Sequence, residues 1–371
     1  MNIQRPNLFL GCITGTSVDG LDIALIRIAD SQSIAIERAE TVPLPDKLRK
    51  TLLELGQPGA DDLDQTGYCD IELGHFIGEA INSLLHRWGL KPTDIAAIGS
   101  HGQTIRHRPP TANRPYGFST QIGDPNQIAE RSKLTTVADF RRRDMAAGGH
   151  GAPLAPPFHQ ALFGHLSGTT VVLNIGGISN ISILGKTPSG FDTGPGNALM
   201  DSWCERHIGT PYDQSGKWAA AGKIDESLLA ACLSDSYFQL TPPKSTGREY
   251  FNLTWLNQYS KLSTTSPVDV QATLCALTVT SVLNAVHQQA PGIRQLIVCG
   301  GGRLNNHLMS SLAQRSDFTV GPSEDWNIDG DAIEAALFAW LAHCRLAALT
   351  SNEPAVSGAQ GYRILGAVYA S

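Results

Sequence analysis

The chain carries three glycine-rich turns, and each directly follows a short apolar run of the kind that forms a buried β-strand. The strand and turn pairs are Leu8–Thr14 with Gly15–Gly20, Thr169–Ile175 with Gly176–Asn180, and Gln295–Cys299 with Gly300–Gly302. Glycine lets the backbone approach a ligand closely, and consecutive N–H groups in such turns can surround an anion. A tight hairpin that binds nothing is the alternative for any single turn. Three such turns favour a phosphate-binding function.

The first two turns each join a strand to a returning strand, and this pattern recurs about 160 residues along the chain. The recurrence is short and low in identity, so it indicates an internal duplication without proving one. Between the strands, apolar spacing predicts helices. They are Asp46–Leu55, Leu63–Trp88, Pro125–Arg131, Ala198–Ile208, Leu304–Ala313 and Asp331–Leu346. The sequence therefore predicts an α/β protein.

Length and composition narrow the class of protein. At about 150 residues per domain, 371 residues predict two domains. A hydrophobic fraction of 42% and a charged fraction of 17% are typical of folded globular chains. A net charge of −6 gives no electrostatic reason to bind nucleic acid or an anionic membrane, and no apolar run reaches the ~18–20 residues of a membrane span. Seven scattered cysteines without a C-x-x-C pair indicate reduced thiols and a cytoplasmic location.

The first turn carries two hydroxyl and two carboxylate side chains. Its eight residues are Gly15, Thr16, Ser17, Val18, Asp19, Gly20, Leu21 and Asp22. This segment is neither a Walker loop nor a dinucleotide fingerprint, because it leads into a strand instead of a helix. Hydroxyl and amide groups can hold phosphate oxygens, and Asp19 or Asp22 can hold Mg²⁺ through water. Asp19-Gly20 is also a common hairpin turn, and the two interpretations are compatible.

Further motifs follow in a fixed order along the chain. They are His101–Pro109, Gln121–Pro125, Phe140–Asp144, Asn174–Asn180, Phe191–Asn197, Pro243–Glu249 and Cys299–Asn305. Together with Gly15–Asp22, this set resembles the anhydro-N-acetylmuramic acid kinase family over nearly the whole chain. The number and order of the motifs make the resemblance far more specific than any one glycine turn.

The resemblance implies a fold and a reaction. The fold is two duplicated actin-like (ribonuclease H-like) domains around an ATP cleft. We expect the domains at residues 1–140 and 141–371, with the last residues free to pack back on the first domain. The reaction uses ATP and water to convert 1,6-anhydro-N-acetylmuramic acid into N-acetylmuramic acid 6-phosphate and ADP, a step of peptidoglycan recycling and amino-sugar catabolism. The resemblance also implies an ATP-binding role for Gly15–Asp22 and for Gly176, Gly177, Gly300, Gly301, Gly302 and Asn305.

One base can start this reaction by taking a proton from the water that opens the ring at C1. Asp192 is the predicted base, placed after a strand end and before the glycine-rich start of a helix. Capping of helix 198–208 is the alternative role for Asp192, although Asn197 fits that role better. The resemblance places Glu334 near the same carbon as a second carboxylate that orients the water. A solvated glutamate in the first turn of a helix is the alternative for Glu334.

Polar loops supply candidate contacts to the sugar. His101, Gln103 and Thr104 are predicted to hydrogen-bond its hydroxyls or acetamido group. Arg141 is predicted to meet the lactyl carboxylate, because arginine binds carboxylates with two parallel hydrogen bonds. Surface charge or a domain clamp is the alternative for the Arg141–Arg143 run.

Two other functions use the same fold. An actin- or Hsp70-like ATPase would release free phosphate, and another carbohydrate kinase would phosphorylate a hydroxyl without adding water. We expect ATP, Mg²⁺ and a small sugar as ligands, with no nucleic acid or membrane partner. The sequence leaves the oligomeric state open, and a homodimer is compatible with it.

Overall fold

The computed structural model describes residues 7–15, 18–29, 33–57, 59, 62–111 and 113–371. It divides into two compact units: unit 1 comprises Met1–Leu162 and Asp331–Ser371, and unit 2 comprises Phe163–Gly330. The predicted boundary after residue 140 differs from this division. Residues 141–162 pack within unit 1, and so does the whole C-terminal stretch from Asp331 onward.

The described residues form thirteen strands. In chain order they are β1 (Leu8–Thr14), β2 (Gly20–Ile28), β3 (Ile34–Pro43), β4 (Ile95–Ser100), β5 (Gln103–Arg108), β6 (Phe118–Ile122), β7 (Thr136–Ala138), β8 (Thr169–Ile175), β9 (Ile178–Ile183), β10 (Ser189–Pro195), β11 (Ile293–Cys299), β12 (Thr319–Pro322) and β13 (Ala367–Tyr369).

Fourteen α-helices lie in the same described residues. They are α1 (Asp46–Gly56), α2 (Leu63–Trp88), α3 (Pro125–Ser132), α4 (Phe140–Met145), α5 (Ala155–Phe163), α6 (Ala198–Ile208), α7 (Lys217–Ala221), α8 (Glu226–Leu233), α9 (Ser236–Gln239), α10 (Leu253–Asn257), α11 (Pro267–Gln289), α12 (Asn306–Gln314), α13 (Ile333–Leu346) and α14 (Pro354–Ser357). Short 3₁₀ turns occupy Pro92–Asp94, Gln214–Gly216, Ser260–Ser263, Gly301–Leu304 and Ser323–Trp326.

Both units are built on the same sheet topology. In unit 1 the strand order is β13-β7-β4-β1-β2-β3, and in unit 2 it is β10-β9-β8-β11-β12. Each sheet begins with three consecutive antiparallel strands, and two further strands add in parallel on the side of the first of them. In unit 1, β13 then pairs antiparallel with β7. This shared order is that of the ribonuclease H-like fold, so the predicted α/β class and the predicted duplication are confirmed in the structure.

Glycine allows a helix to pack tightly on the sheet of unit 1. A Cβ atom on Gly11 of β1 would lie 1.9 Å from the carbonyl oxygen of Ala335, and one on Gly99 of β4 would lie 1.9 Å from that of Phe338. Helix α13 therefore rests directly on the backbone of the two central strands. This packing fixes the first turn of α13, which carries Glu334.

Unit 2 has its own core around α11. Fifteen of the 23 residues of this helix are buried, among them Val270, Val279 and Val286. By length and composition alone α11 would be long and apolar enough to cross a membrane, but it is the core helix of this unit.

Candidate active site

The parallel strands of unit 1 end at one edge of its sheet. Strand β1 ends at Thr14, β4 at Ser100 and β7 at Ala138, and Cys12 pairs with Ser100 in the β1–β4 ladder. Ligands of open α/β sheets bind outside the carboxyl ends of such strands. The first glycine loop and the loop that begins at His101 therefore meet at one edge, as the Thr14 N–H and hydroxyl bonds to the Gly102 carbonyl show (3.3 and 3.1 Å).

The first glycine loop is only partly described. Thr16 and Ser17 lie outside the described residues. Val18 has a φ of 51°, a left-handed conformation that is rare for a β-branched residue, and its N–H donates to the Gly15 carbonyl (3.1 Å). The side chain of Leu21 is fully buried in the core, so only its backbone can face a ligand. Strained backbone of this kind is common at ligand-binding loops.

Asp22 of unit 1 lies near two other carboxylates. Burial raises the pKa of Asp22, and the negative charges of Asp19 and Asp331 raise it further, against a hydrogen bond from the Thr41 hydroxyl (2.6 Å). Asp331 is a residue that sequence reasoning missed as part of this group. No set of three or more His, Cys, Asp or Glu side chains in the described part of the chain could hold a metal ion alone. The arrangement fits Mg²⁺, which binds through one or two carboxylates together with water and phosphate.

In unit 1, Arg141 interacts with both His101 and Glu334. Arg141 Nε donates to His101 Nε2 (3.1 Å), so His101 Nδ1 carries the proton and faces the Gly102 carbonyl (3.0 Å). The His101 ring packs on Phe338 at 4.6 Å between centroids. Burial and the neighbouring arginine hold the pKa of His101 well below its usual value, so this histidine is neutral at pH 7.

Arg141 stays charged in this setting. Burial lowers its pKa to about 10, and the negative charge of Glu334 opposes that shift. The guanidinium also donates from Nη1 to the Gly151 carbonyl (2.8 Å). The predicted sugar contacts His101 and Arg141, and the predicted second carboxylate Glu334, therefore belong to one electrostatic group within unit 1.

Gln103 and Thr104 lie on β5, which the sequence assigns to a loop. With its amide nitrogen toward the first glycine loop, Gln103 donates to Thr14 Oγ1 (2.6 Å) and to the Gly15 carbonyl (3.2 Å). The Thr104 hydroxyl accepts from Gln121 Nε2 (2.9 Å). In this structure Gln103 thus supports the glycine loop, and a contact of Gln103 or Thr104 with the sugar remains a prediction.

Asp144 is a buried carboxylate that sequence reasoning missed. Its Oδ2 accepts from the N–H of Gly151 (2.9 Å), and its Oδ1 accepts from Asn352 Nδ2 (2.8 Å) and the Ser357 hydroxyl (2.7 Å). These bonds tie the loop at Gly151, which holds Arg141, to the C-terminal stretch. They also give the physical reason why residues 141–162 and the tail lie in one unit.

The second glycine turn joins β8 to β9 in unit 2. The structure shortens the predicted turn to Gly176-Gly177, because Ile178, Ser179 and Asn180 already lie in β9. The Gly176 carbonyl accepts from Asn197 N–H (2.8 Å), and the Gly177 carbonyl accepts from Gly196 N–H (2.9 Å). A Cβ on Gly176 would find no atom closer than 3.7 Å, so this face of the turn leaves room for a ligand.

The third turn, Gly300–Gly302, lies beside the second. Gly300 has a φ of 75°, and a Cβ there would lie 2.2 Å from Asn174 Oδ1, so only glycine fits. A Cβ on Gly301 would find nothing closer than 4.0 Å. Open backbone at Gly176 and Gly301 fits a phosphate-bearing ligand such as ATP.

Two side chains hold the third turn in place. Asn305 caps α12, because its Oδ1 accepts from Leu308 N–H (3.0 Å). Arg303, which sequence reasoning missed, is buried; it donates from Nε to Glu324 Oε1 (2.8 Å) and from Nη1 to the Gly300 carbonyl (3.3 Å). The ATP-binding role of Asn305 stays a prediction beside its capping role.

Asp192 lies within β10, not after a strand as the sequence predicts. A bulge follows it, since Asp192 pairs with Asn180 and Gly194 pairs with Ser179. Asn180 in turn pairs with Asn174 of β8, so Asp192 is level with the strand end that carries Gly176. Two strand spacings separate β10 from β8, about 10 Å. Asp192 does not cap α6: Asn197 holds the N-cap position, without a side-chain capping bond.

Burial tunes the Asp192 carboxylate. Its Oδ2 accepts from Thr246 N–H (2.9 Å), and its backbone carbonyl accepts from the Tyr237 hydroxyl (2.7 Å). Burial raises the pKa of Asp192 to about 6; the Thr246 hydrogen bond and the positive charge of Lys244 oppose the shift, and the negative charge of Glu249 adds to it. A carboxylate with this pKa is ionised at pH 7 and basic enough to accept a proton.

Two units of ribonuclease H-like topology, each with a glycine turn after its first strand, place the chain in the actin-like fold class, and unit 2 carries the shielded carboxylate Asp192. The sequence model of the anhydro-N-acetylmuramic acid kinase family matches residues 7–371. The chain belongs to this family.

The chain is similar to anhydro-N-acetylmuramic acid kinases of other bacteria over nearly its whole length. The anhydro-N-acetylmuramic acid kinase of Xylella fastidiosa is 48% identical, over 98% of this chain and 97% of that protein. That of Pseudomonas putida is 45% identical, over 98% and 99%. A solved structure of a ROK family glucokinase from Streptomyces griseus, in complex with glucose and AMPPNP, is 13% identical with a TM-score of 0.39, over 90% of this chain and 98% of that one.

Proposed function

We propose that the chain uses ATP and one water molecule to convert 1,6-anhydro-N-acetylmuramic acid into N-acetylmuramic acid 6-phosphate and ADP. Membership of the anhydro-N-acetylmuramic acid kinase family supports the substrate and the reaction class. The reaction belongs to the recycling of cell-wall peptidoglycan and the breakdown of amino sugars.

One structural observation carries the mechanism. Asp192 is a half-buried carboxylate whose pKa burial raises to about 6, and it is level with the strand end that leads into Gly176. A separation of about 10 Å between the strands keeps this negative charge away from a triphosphate on the glycine turn. A sugar can reach both places, with C1 toward the carboxylate and O6 toward the phosphate.

The proposed reaction opens the ring first and then transfers the phosphoryl group. Asp192 takes a proton from water while the water oxygen bonds to C1, and the bond between C1 and O6 breaks. The electron pair left on O6 then attacks the γ-phosphorus, and the bond from that phosphorus to the β,γ-bridging oxygen breaks. ADP leaves with that electron pair. Catalysis of the second step needs positioning and charge stabilisation more than covalent help from protein.

The glycine turns would hold ATP. Gly176-Gly177 and Gly300–Gly302 offer backbone without side chains, and Asn305 follows the third turn. In unit 1 the loop Gly15–Asp22 would contact phosphates, with Thr16 and Ser17 supplying hydroxyls. Asp19 would hold Mg²⁺ through water, with Asp22 and Asp331 adding negative charge. Bound Mg²⁺ neutralises phosphate charge during transfer.

The polar group of unit 1 would recognise the sugar. Arg141 keeps its positive charge beside neutral His101 and suits the lactyl carboxylate. Glu334 would orient the water, and Gln103 and Thr104 would contact polar groups of the sugar. A cytoplasmic location belongs to the same proposal, since ATP is the donor and none of the seven cysteines is in a disulfide bond.

The direct test is a product assay with ATP, Mg²⁺ and the anhydro-sugar. Mass spectrometry should find the sugar with one added water and one added phosphoryl group. Release of free phosphate without a sugar product would favour an ATPase instead. Asp192→Asn should lose activity by at least about 10²-fold, while Asp317→Asn, the same change at an exposed position of unit 2, should leave it unchanged.

A further inference from the structure

One segment of unit 2 contacts both the predicted base and the second glycine turn. Residues Lys244–Glu249, here the 244–249 segment, wrap around Asp192: Asp192 N–H donates to the Lys244 carbonyl (3.3 Å), and Thr246 N–H donates to Asp192 Oδ2 (2.9 Å). The sequence singles out this segment as a loop without deciding its role. Its backbone is fixed again at Arg248, whose carbonyl accepts from Asn252 Nδ2 (3.3 Å).

The side chain of Arg248 lies against Gly177. A Cβ on Gly177 would be 2.5 Å from Arg248 Nε and 2.7 Å from Nη2. Only glycine lets the guanidinium come this close to the turn. The turn itself is held in place, because the Gly177 carbonyl accepts from Gly196 N–H (2.9 Å) and Ala198 N–H (3.0 Å).

The guanidinium donates no hydrogen bond to any residue that the structure describes. Arg248 is exposed, and none of the described residues accepts a hydrogen bond from its side chain or forms an ion pair with it within 4.0 Å. Asp201 is near enough for the positive charge of Arg248 to lower its pKa, which burial raises to about 6. An arginine laid across a glycine turn with its donors unused is suited to a phosphate, which accepts two parallel N–H bonds.

We propose that Arg248 is a catalytic residue that binds the phosphoryl group during its transfer, with its guanidinium donating to the phosphoryl oxygens at the Gly176-Gly177 turn. This inference rests on the proposed function. Arg248 stays protonated throughout; it gives and takes no electron pair while the bond from O6 to phosphorus forms and the bond from phosphorus to ADP breaks. Its hydrogen bonds are strongest when negative charge spreads over the phosphoryl oxygens, so it stabilises the transition state.

The same segment places the base and the arginine in a fixed relation. Only one residue, Gly247, separates Thr246, which binds Asp192, from Arg248 at the glycine turn. Ring opening and phosphoryl transfer must occur close together in time, since O6 becomes a nucleophile only when C1 is attacked. A single short segment that holds both groups suits that requirement.

The test compares Arg248→Ala and Arg248→Lys with the wild type and with Arg206→Ala, which removes an exposed arginine of α6 in the same unit. We expect Arg248→Ala to lower kcat by about 10³-fold, the lower value for arginines that act on a transferring phosphoryl group, with KM for both substrates changed less than threefold. Arg248→Lys should recover little, because one ammonium cannot replace two parallel bonds. Arg206→Ala should match the wild type.

A binding measurement distinguishes stabilisation of the transition state by Arg248 from a general attraction of its positive charge for nucleotide phosphates. ADP with aluminium fluoride imitates the phosphoryl group in transit, and calorimetry should show that Arg248→Ala weakens its binding by a factor similar to the loss in kcat. Binding of ADP alone should be unchanged. Equal weakening of ADP alone, a kcat within tenfold of the wild type, or full rescue by lysine would each overturn the role of Arg248.

The outcomes are distinguishable from failure of the proposed function. If the wild type makes no sugar phosphate, the proposed function itself is wrong. If the wild type makes it and Arg248→Ala is equally active, only the role of Arg248 is wrong. Should Arg248→Ala lose its folded circular dichroism spectrum, Arg248→Lys, which keeps the charge and length of the side chain, decides the matter by the same readouts.

Discussion

Replacing Asp192 by asparagine should remove activity and at the same time stabilise unit 2 at neutral pH. The carboxylate is shielded from water, and raising its pKa from 3.8 to about 6 corresponds to about 3 kcal/mol by which the folded protein disfavours the charged form. Asparagine carries no charge and keeps an oxygen that can accept the Thr246 N–H bond. The variant should therefore be more stable than the wild type by up to about 3 kcal/mol at pH 8.

The sign of the pH dependence follows from the direction of the shift. Because the folded protein raises the pKa of Asp192, the stability that the neutral carboxyl provides is fully present below about pH 4 and is lost as pH rises through about 6. The advantage of Asp192→Asn should vanish in acid and reach its full value above neutral pH.

Urea unfolding at several pH values measures this difference. Tryptophan fluorescence reports mainly on unit 2, which holds four of the six tryptophans: Trp203, Trp218, Trp255 and Trp326. Turnover is measured on the same samples and should fall by at least about 10²-fold. A variant less stable than the wild type at pH 8 would refute the argument that burial disfavours the charge, and near-normal turnover would remove Asp192 from the role of base.

Three further predictions concern other parts of the site. The kcat/KM of the wild type should fall below an apparent pKa of about 6, as Asp192 becomes protonated, and a pH–rate profile without that acid limb would contradict its role as base. Gly300→Ala should lower stability by about 1–3 kcal/mol, since a Cβ would strain a left-handed residue and meet Asn174; unchanged urea unfolding would contradict this. Glu334→Gln should lower kcat at least about tenfold, whereas a first-turn glutamate without a catalytic role would leave kcat intact.

Much of the fold could be predicted from local patterns. The strands at Leu8–Thr14 and Thr169–Ile175 could be predicted because both are continuous apolar runs followed by glycine. The end of helix α2 could be predicted because glycine at position 89 suits a left-handed cap, and Gly89 has a φ of 69°. The recurrence of a strand, a glycine turn and a returning strand also predicted the duplication, which the two sheets confirm.

Elements defined by distant partners were missed. Helix α11 is buried nearly all round, so its apolar residues show little helical periodicity. Strand β10 runs past the strand end predicted before Asp192, because pairing with β9 continues through Gly194 and Pro195, residues that disfavour strands. The division between units depends on bonds such as that of Asn352 to Asp144, far apart in sequence, which no local pattern reveals.

The candidate site, like the fold, could be predicted only in part from the sequence. The motifs pointed to Asp192 and the glycine turns, because glycine and acidic residues at strand ends have a recognisable chemistry. The structure gives Arg303 and Arg248 their roles: Arg303 donates to the carbonyl of Gly300 in the neighbouring turn, and Arg248 lies against Gly177, which is distant from it in sequence. A lone arginine in a loop carries no such signal.

The most direct test of the mechanism follows the oxygen of water. A single turnover in H₂¹⁸O, with ATP and the anhydro-sugar, is stopped and reduced at once with borohydride, so that the oxygen on C1 can no longer exchange with solvent. Attack of water on C1 predicts one ¹⁸O atom on C1 of the reduced sugar phosphate and none in the phosphoryl group. An unlabelled C1, or ¹⁸O in the phosphoryl group, would contradict the mechanism.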